Sequence, residues 1–382
     1  MNPTGLCFYL LNYKQDTHRH YYHIYEFIEA LAQRHPVLLH IMDCEGEPRF
    51  KHVRAIRVFD RLGLRGRIRR MLADITAYMR GYRFFYHHYT TGPARFSALL
   101  CRLFGGKTFL WHCIVMEALD RHIRFKHLKR WMLKFTFHCV HHVVTGSSSM
   151  ANYYEDFYSL PHGKMVVIPN YINLERFDQL ACSKEEARQR LDLPIDRKVV
   201  LYLHEIEEGR ARLLPEIIEQ VFKSRPDTMF CIVGDGRYRQ TLEHRLQRLI
   251  DQGRVRFVGA VPNTTTPLYY RAADVHVMTS AFEAFSRVLL EAMAMGTPYV
   301  SMDGGGNIRA YTPQEHQEYI VPVDRIDLFA QRVVRILEDP AEAQRLADVG
   351  LSHVQHYALA RVLDRFEEVV FGKEMTVGGE QD

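Results

Sequence analysis

Residues 281–300 read AFEAFSRVLLEAMAMGTPYV and contain two glutamates, Glu283 and Glu291, separated by seven residues. A helical pattern begins at Arg287 and ends near Met295, where a Gly-Thr-Pro stop signal precedes a short predicted strand. Because a helix rises 1.5 Å per residue, the spacing places the two carboxylates roughly 12 Å apart. That distance is too long for two groups acting on one bond. It suits groups that hold opposite ends of a long ligand.

The start of this helix is the second feature of the stretch. The backbone N–H groups near Phe285, Ser286 and Arg287 have no partner within the helix, and the helix dipole adds partial positive charge there. The first turn is therefore a predicted anion site. A phosphate at this turn, a sugar hydroxyl at one glutamate and a ribose at the other would describe a sugar nucleotide. An ordinary amphipathic helix with solvated glutamates is the alternative that spacing alone leaves open.

Four segments carry a resemblance to a known family. TSAFEAFSRVLLEAMAMGTPYV resembles the signature of the retaining GT-B glycosyltransferases of family 4, in which two glutamates flank a glycine-rich turn and a helix. The other three segments resemble the family's strand–turn–helix, the strand before the glutamates and the end of its N-terminal domain. They are CIVGDGRYRQTLEHRL (231–246), VRFVGAVPNTTTPLYYRAADVHVMTS (255–280) and VVTGSSSMANYYEDFYSLPHGKMVVIPNYINLERF (143–177).

The resemblance implies an α/β protein of the GT-B fold, with two Rossmann-like doubly wound parallel-sheet domains facing a central cleft. Independently of it, strand and helix patterns alternate along the chain, which indicates parallel sheets with helices on both faces. The expected ligand site is at the carboxyl ends of the strands. We expect an acceptor-binding domain at 1–178, a linker at 179–197 and a nucleotide-sugar-binding domain at 198–355. A helix at 356–372 is expected to pack back on the first domain, and a disordered tail is expected at 373–382.

The resemblance also assigns roles to residues around the helix and in the first half. Glu283 would meet the hydroxyls of the transferred sugar near the reacting carbon, and Glu291 would bind the ribose. The backbone of Phe285, Ser286 and Arg287 would hold the sugar and the distal phosphate. His112, which follows a predicted strand, matches the family's N-domain histidine near the reaction centre. A strand-end histidine bonded to backbone is the alternative for this residue.

Two departures from the family pattern concern the donor phosphates. Where the family has a Gly-Gly loop after the first strand, this chain has His18-Arg19-His20, and Arg19 is a candidate anion contact. Where the family places Gly-Arg after the first strand of the second domain, this chain has His204-Glu205.

An acidic Glu205 would repel a diphosphate unless it turns away. Arg210 is the candidate replacement for the lysine that the family places a few residues later, and Arg212 is a second candidate.

We expect no metal and no cofactor in catalysis, because the chain has no metal-binding D-x-D sequence. The cluster His138, Cys139, His141 and His142 has ligand types, but it lies at the start of a strand pattern, where alternate residues face opposite ways. No second Cys/His pair completes a zinc spacing. The seven cysteines are scattered and odd in number, which favours reduced thiols in the cytoplasm.

The charge of the chain is uneven. Residues 1–190 carry 28 Lys/Arg and 16 Asp/Glu, whereas residues 191–382 carry 22 and 29, and the net charge is +5. Two basic stretches, 61–70 and 121–135, mix arginine and lysine with apolar residues, as a helix on an anionic membrane surface does. A solvated helix face is the alternative. No nucleic-acid-binding motif accompanies the charge, and no apolar run approaches the ~18 residues of a membrane span.

The leading prediction is a retaining, metal-independent glycosyltransferase that moves a sugar from a nucleotide donor to a membrane-associated or glycan acceptor. UDP-sugars are favoured over GDP-sugars, and the protein is expected to be cytoplasmic and peripheral on the membrane. The alternative is a catalytically inactive GT-B protein that binds or scaffolds in glycan assembly, favoured by Glu205 and the missing glycine loop. A third hypothesis is another GT-B enzyme, such as a sugar-nucleotide epimerase or a phosphorylase, and no motif in the sequence supports it.

Overall fold

The structure is a computed structural model that describes residues 5–15, 22–59, 63–113, 126–178, 180–280, 283, 285–304 and 306–372. It divides into two compact units. The first comprises Met1–Pro169 and Leu359–Asp382, and the second comprises Asn170–Ala358.

The first unit is built on a seven-stranded sheet in which all the described strand pairings are parallel. The strand order is β5-β3-β1-β6-β7-β8-β9, and β2 and β4 form a separate small parallel pair. The strands are β1 Gly5–Leu10, β2 Tyr13–Lys14, β3 Val37–Ile41, β4 Cys44–Glu45, β5 Ala55–Val58, β6 Tyr82–His88, β7 Lys107–Trp111, β8 His142–Thr145 and β9 Met165–Val167. The helices are Tyr22–Arg34, Leu64–Met79, Thr91–Phe104, Lys126–Cys139, Ser148–Tyr158 and Leu359–Phe371.

The second unit is built on a six-stranded parallel sheet of order β12-β11-β10-β13-β14-β15. Its strands are β10 Lys198–Leu203, β11 Thr228–Val233, β12 Val255–Gly259, β13 Val275–Met278, β14 Tyr299–Asp303 and β15 Ile320–Pro322. Its α-helices are Glu175–Asp178, Lys184–Arg190, Glu208–Ala211, Leu214–Ser224, Arg239–Asp251, Thr266–Ala272, Arg287–Ala294, Ile326–Glu338 and Pro340–Val354. Short 3-10 helices cover Ile308–Tyr311, Gln314–Tyr319 and Gln355–Tyr357.

Strand β10 shows why the second sheet is covered on both faces. Side chains of a strand point alternately to the two sides of its sheet. Val200 and Tyr202 belong to one buried apolar cluster, while Leu201 and Leu203 belong to another. The near-continuous apolar sequence of β10 is typical of a parallel strand buried on both sides.

The last helix, Leu359–Phe371, belongs to the first unit. It packs on the helix Tyr22–Arg34, where the rings of Phe27 and Phe366 lie 5.1 Å apart. Arg34 forms an ion pair with Asp364 at 2.5 Å. Since an amphipathic helix must bury its apolar face, these contacts fix this helix on the first unit.

The segment 179–197, predicted to be a linker, is instead part of the second unit. Its polar composition suggested exposure, but Ala187 and Leu193 are buried in the apolar core of that unit. Arg188 is buried as well and forms an ion pair with Asp274 at 2.6 Å. The boundaries between the units therefore lie at 169/170 and 358/359, not at 178 and 355. The predicted tail, 373–382, lies outside the described residues.

The strand at the cluster of histidines and Cys139, which the sequence pattern placed from Cys139 onward, begins only at His142. The preceding helix continues to Cys139, since Phe137 and Val140 are buried against neighbouring elements. Three of the four ligand-type residues of this region therefore lie in a helix end and its turn, and the fourth lies in a strand.

Candidate functional site

Glu283 lies at the carboxyl edge of the second sheet. Its backbone pairs with that of Gly306, and its carbonyl accepts a hydrogen bond from the N–H of Asn307 at 3.1 Å. Gly306 has φ +114, and a Cβ there would lie 2.3 Å from the Glu283 carbonyl oxygen, so only glycine fits. This pairing holds the first glutamate beside the end of β14.

The helix Arg287–Ala294 begins at Arg287, as the sequence predicted, and Ser286 is its N-cap residue. The N–H of Ser286 donates to Tyr311 Oη at 2.8 Å, and Tyr311 stacks on Phe285 with ring centroids 4.4 Å apart. Ser286 and Phe285 are both buried. The turn before the helix is thus held by an aromatic pair, and Arg287 begins the helix, partly exposed.

Glu291 is buried, with 7% of its surface exposed. Tyr270 Oη lies 3.3 Å from its carboxylate and 3.1 Å from the Val288 carbonyl. Since burying a carboxylate is costly unless it is hydrogen-bonded, the hydroxyl of Tyr270, which donates to the Glu291 carboxylate, helps to hold this side chain inside the protein.

His204 and Glu205 directly follow β10, at the same edge of the sheet. His204 Nε2 lies 3.7 Å from the Glu283 carboxylate. The carboxylate of Glu205 forms an ion pair with Arg210 at 2.6 Å. The acidic side chain is therefore neutralised by the arginine that was predicted to bind phosphate.

Arg212 lies at the end of the helix Glu208–Ala211 and is exposed. It borders a cavity of about 580 Å³ together with Asp303 and Gly304. The cavity lies beside the loop that pairs with Glu283, because Gly304 and Gly306 belong to that loop. Arg212 is therefore a predicted donor residue that borders a cavity of the second unit.

His112 belongs to the first unit, where it directly follows β7 and is buried. Burial lowers its pKa to about 4, so the imidazole is neutral at neutral pH. Its Nδ1 lies 2.7 Å from Tyr154 Oη, which fixes the ring. His112 follows a strand, as the sequence predicted, but its ring contacts the hydroxyl of Tyr154, whereas the alternative interpretation expected a bond to backbone. The predicted loop His18-Arg19-His20 lies outside the described residues.

Tyr311, Tyr270 and Gly306 were not singled out from the sequence. Each is distant along the chain from the residue it supports, and a lone tyrosine carries no local signal. The Gly-Gly-Gly run at 304–306 was the one available signal, because it directly follows a strand in the domain expected to bind the donor.

Two protein families match the chain, each over one part of it. Glycosyltransferase Family 4 matches residues 22–176, and Glycosyl transferases group 1 matches residues 183–351. The chain belongs to the family 4, or group 1, glycosyltransferases. The first match includes His112, and the second includes both glutamates and the residues after β10.

Curated proteins that are similar to this family 4 chain carry different names. D-inositol 3-phosphate glycosyltransferase 2 of Catenulispora acidiphila is 32% identical over 211 residues, which is 53% of this chain and 48% of that protein. Alpha-monoglucosyldiacylglycerol synthase of Streptococcus pneumoniae is 30% identical over 194 residues, 50% of this chain and 43% of that protein. The chain spans about half the length of the curated relatives that it matches.

Solved structures share the fold over the whole chain. Anabaena Alr3699/HepE, in complex with UDP, superposes with a TM-score of 0.76 at 17% sequence identity, covering 97% of this chain and 100% of that chain. At this identity the similarity concerns the fold, which is GT-B.

A second candidate site of this glycosyltransferase is a surface of the first unit. The helices Leu64–Met79, Thr91–Phe104 and Lys126–Cys139 pack side by side, and we call their outer surface the three-helix face. Among the described residues, 13 of the 16 exposed large apolar side chains belong to these helices. They are Leu64, Ile68, Met71, Leu72, Ile75, Met79, Leu99, Leu103, Phe104, Leu128, Trp131, Met132 and Phe135.

The three-helix face is also basic. Asp74 is the single acidic residue in the sequences of the three helices, and it is buried with 1% exposure. Exposed arginines such as Arg65, Arg67 and Arg69 alternate with the apolar residues. The described parts of the predicted stretches 61–70 and 121–135 lie on this surface, which extends beyond them to the helix Thr91–Phe104. In the part of the chain that the structure describes, no helix is long and apolar enough to cross a bilayer.

Cys7, His40 and Asp74 form a buried group of metal-ligand types beneath this surface, with ligand atoms within 4.8 Å of one another. Each oxygen of Asp74 already accepts a hydrogen bond, from Tyr9 Oη at 2.5 Å and from Ser97 Oγ at 2.7 Å. The group is thus a hydrogen-bonded network inside the first unit.

Proposed function

We propose that the chain transfers a sugar from a nucleotide-sugar donor to a glycan or lipid acceptor, with retention of the anomeric configuration. The observation that carries the proposal is the arrangement at the helix Arg287–Ala294. Glu283 lies before its first turn and Glu291 is buried within it, in a chain that belongs to the family 4 glycosyltransferases. The two carboxylates and the helix start between them match the hydroxyl, phosphate and hydroxyl groups of a sugar nucleotide.

In this proposal Glu291 accepts hydrogen bonds from the ribose, and Glu283 accepts them from the transferred sugar. The diphosphate lies near the backbone N–H groups at the start of the helix, with Arg287 adding positive charge. UDP-sugars are the favoured donors and GDP-sugars come second. The structural similarity to Alr3699/HepE, which was solved with UDP, supports this order.

Transfer breaks the bond between the anomeric carbon and the diphosphate, so negative charge grows on the leaving phosphate. Fixed dipoles and cations that are already in place stabilise this charge at little reorganisation cost. The helix start, Arg210 and Arg212 are the groups that would do so, and we propose that no metal is needed. His112, which is neutral at neutral pH, would approach the sugar from the first unit as a hydrogen-bond partner.

We further propose that the protein works at an anionic membrane surface and takes its acceptor there. The three-helix face combines exposed apolar side chains with arginine and lysine and has no exposed acidic residue. Apolar side chains enter the boundary between headgroups and acyl chains, while the basic groups pair with anionic lipids. The stacked pair of Trp131 and Phe135, with ring centroids 5.9 Å apart, suits this boundary. A cytoplasmic, peripheral location follows from this proposal.

A nucleotide screen tests the donor assignment. The melting temperature is measured with UDP, GDP, ADP and CMP and with their sugar conjugates. A ligand that binds the folded state alone stabilises it by ~2.7 kcal/mol at a hundredfold excess over Kd. We expect a shift with a uridine or guanosine ligand in the wild-type protein and a much smaller one in Glu291→Ala. The absence of any shift would contradict the proposal.

The Glu205–Arg210 ion pair favours one other function, a protein that binds nucleotide sugars without turning them over. In this pair Glu205 engages Arg210, the arginine that is the candidate replacement for the family's phosphate-binding lysine. Such a protein would bind the nucleotide but would release no UDP from a UDP-sugar in the presence of membrane lipids or glycans. Release of UDP and formation of a glycosylated product would exclude this alternative.

A further inference from the structure

His204 occupies a position where the family pattern has glycine, so its side chain is an addition of this chain to the site. Its backbone is fixed, because its N–H donates to the Val233 carbonyl at 3.1 Å. A Cβ at Gly234 would lie 1.9 Å from the His204 carbonyl oxygen, so the neighbouring turn approaches it closely. The side chain therefore projects from a rigid strand end.

The hydrogen bonds of His204 determine which ring nitrogen carries its hydrogen. The backbone N–H of Glu205 donates to His204 Nδ1 at 2.8 Å. A nitrogen that accepts a hydrogen bond must present its lone pair, so Nδ1 carries no hydrogen. The hydrogen of the neutral ring is then on Nε2, which makes Nε2–H a donor.

This donor faces the carboxylate of Glu283. Nε2 and Glu283 Oε2 are 3.7 Å apart, which is longer than a direct N–H···O hydrogen bond. Both side chains are mostly covered by protein, with 14% and 17% of their surface exposed. The two groups thus form a donor and an acceptor side by side, each with a small opening to solvent.

One hydroxyl group fits this pair. An oxygen at about 2.8 Å from both atoms would accept from Nε2–H and donate its own hydrogen to the carboxylate. A hydroxyl is the common ligand group that can do both at once.

We propose that His204 and Glu283 together clamp one hydroxyl of the transferred sugar, and that His204 is a specificity-determining residue of the donor site. The inference rests on the proposed function and adds to it a contact that the family pattern lacks. Because a site built to hydrogen-bond a hydroxyl rejects an analogue that lacks it, the clamp would select donors that carry this hydroxyl.

The test uses the full chain and isothermal titration with UDP-glucose, UDP-galactose and free UDP. His204→Ala should weaken binding of the preferred sugar conjugate about 10-fold and change the Kd of free UDP by less than about 2-fold, because the clamp touches the sugar. His204→Gln, which keeps an N–H donor at similar reach, should recover most of the loss. An equal loss for UDP and UDP-sugar would show a structural role and overturn the inference, as would no loss for either.

Deoxyfluoro donors locate the hydroxyl. Among the 3-, 4- and 6-deoxyfluoro analogues of the preferred UDP-sugar, one should bind the wild-type protein more weakly and bind His204→Ala no more weakly than the parent sugar does. Additive losses for every analogue would contradict the clamp, since groups that do not touch give independent effects. Failure of the wild-type protein to bind any nucleotide would overturn the proposed function itself. Binding of UDP and UDP-sugars with the same affinity, whatever the sugar, would overturn only the clamp.

Discussion

Glu205 and Arg210 form an ion pair at 2.6 Å, and Glu205 lies two residues after the end of strand β10. The family pattern places an arginine and a lysine at these two positions, so the pair replaces two cations with a neutral unit. The side chains are about one-third exposed, and an ion pair in such a setting contributes little to stability. Its effect is on the charge available to a diphosphate.

Removal of the Glu205 charge should therefore strengthen nucleotide binding. In Glu205→Gln, Arg210 is released from its partner, and the Kd of UDP should fall about 5-fold, which corresponds to ~1 kcal/mol. Glu208→Gln changes an exposed glutamate of the same segment and should leave the Kd unchanged. Calorimetric titration measures both. An unchanged or weaker affinity in Glu205→Gln would show that Arg210 does not reach the phosphates.

Loss of the Glu283 carboxylate should abolish sugar transfer. Glu283→Ala and Glu283→Gln should each lower the rate of UDP release from a UDP-sugar by at least about 100-fold, since the group acts near the reacting carbon. Circular dichroism and the melting temperature should stay close to the wild-type values, because the side chain is at the edge of the sheet and outside both apolar clusters. Full activity in either variant would remove Glu283 from the site.

The local part of this site could be predicted from the sequence. The helix Arg287–Ala294 was predicted to within one residue, because its periodic apolar residues and its Gly-Thr-Pro stop are contiguous. The contacts that hold this helix and Glu283 in place could not be predicted in the same way, because they come from residues far away in the sequence. Ser286 depends on Tyr311, and Glu283 lies opposite both Gly306 and His204, which is 79 positions earlier. Such pairs arise where separate strands of a parallel sheet end at one edge.

The polar composition of 179–197 gave a wrong prediction of a linker, and charge patterns alone predicted only part of the basic surface. Arg188 reads as a surface residue, but its ion pair with Asp274 lets it lie buried in the second unit. The basic stretches were visible because their charges are contiguous. The contribution of the helix Thr91–Phe104 to this surface was not predicted, because that helix has few charges. Only the packing of the helices places its exposed Leu103 and Phe104 on the same surface.

The three-helix face should bind anionic vesicles. Binding should require an anionic lipid such as phosphatidylglycerol, and it should weaken as salt is raised, because the basic side chains contribute through screened charges. Trp131→Ser combined with Phe135→Ser should lower the fraction bound in sedimentation several-fold. Ile195→Ser, which changes an exposed apolar residue of the second unit, is the control and should bind as the wild type does. Equal binding to neutral vesicles would contradict the electrostatic part of the account.

The buried network of the first unit should make stability depend on pH. Burial raises the pKa of Asp74 to about 7, although the hydrogen bonds from Tyr9 and Ser97 oppose the shift. Between about pH 4 and pH 7 the folded protein thus holds a proton that the unfolded chain releases. The free energy of unfolding therefore falls as pH rises through this window.

Urea unfolding of the wild type and Asp74→Asn at pH 5 and pH 8 measures this effect. The wild type should lose stability relative to the variant on going to pH 8, because the asparagine side chain stays neutral at both pH values. Asp156→Asn, at an exposed position of the same unit, should show no such change. A wild-type-to-variant difference that is equal at both pH values would contradict the raised pKa of Asp74.

We propose above that the helix Arg287–Ala294 and its two glutamates bind a nucleotide sugar. The most direct measurement is calorimetric titration of UDP and GDP into the wild-type protein, Glu291→Gln and Glu219→Gln. Glu219 is an exposed glutamate on another helix of the same unit and serves as the control. We expect that one nucleotide binds the wild type and the control equally and binds Glu291→Gln at least about 10-fold more weakly. Equal affinity for all three proteins, or no binding to any of them, would contradict it.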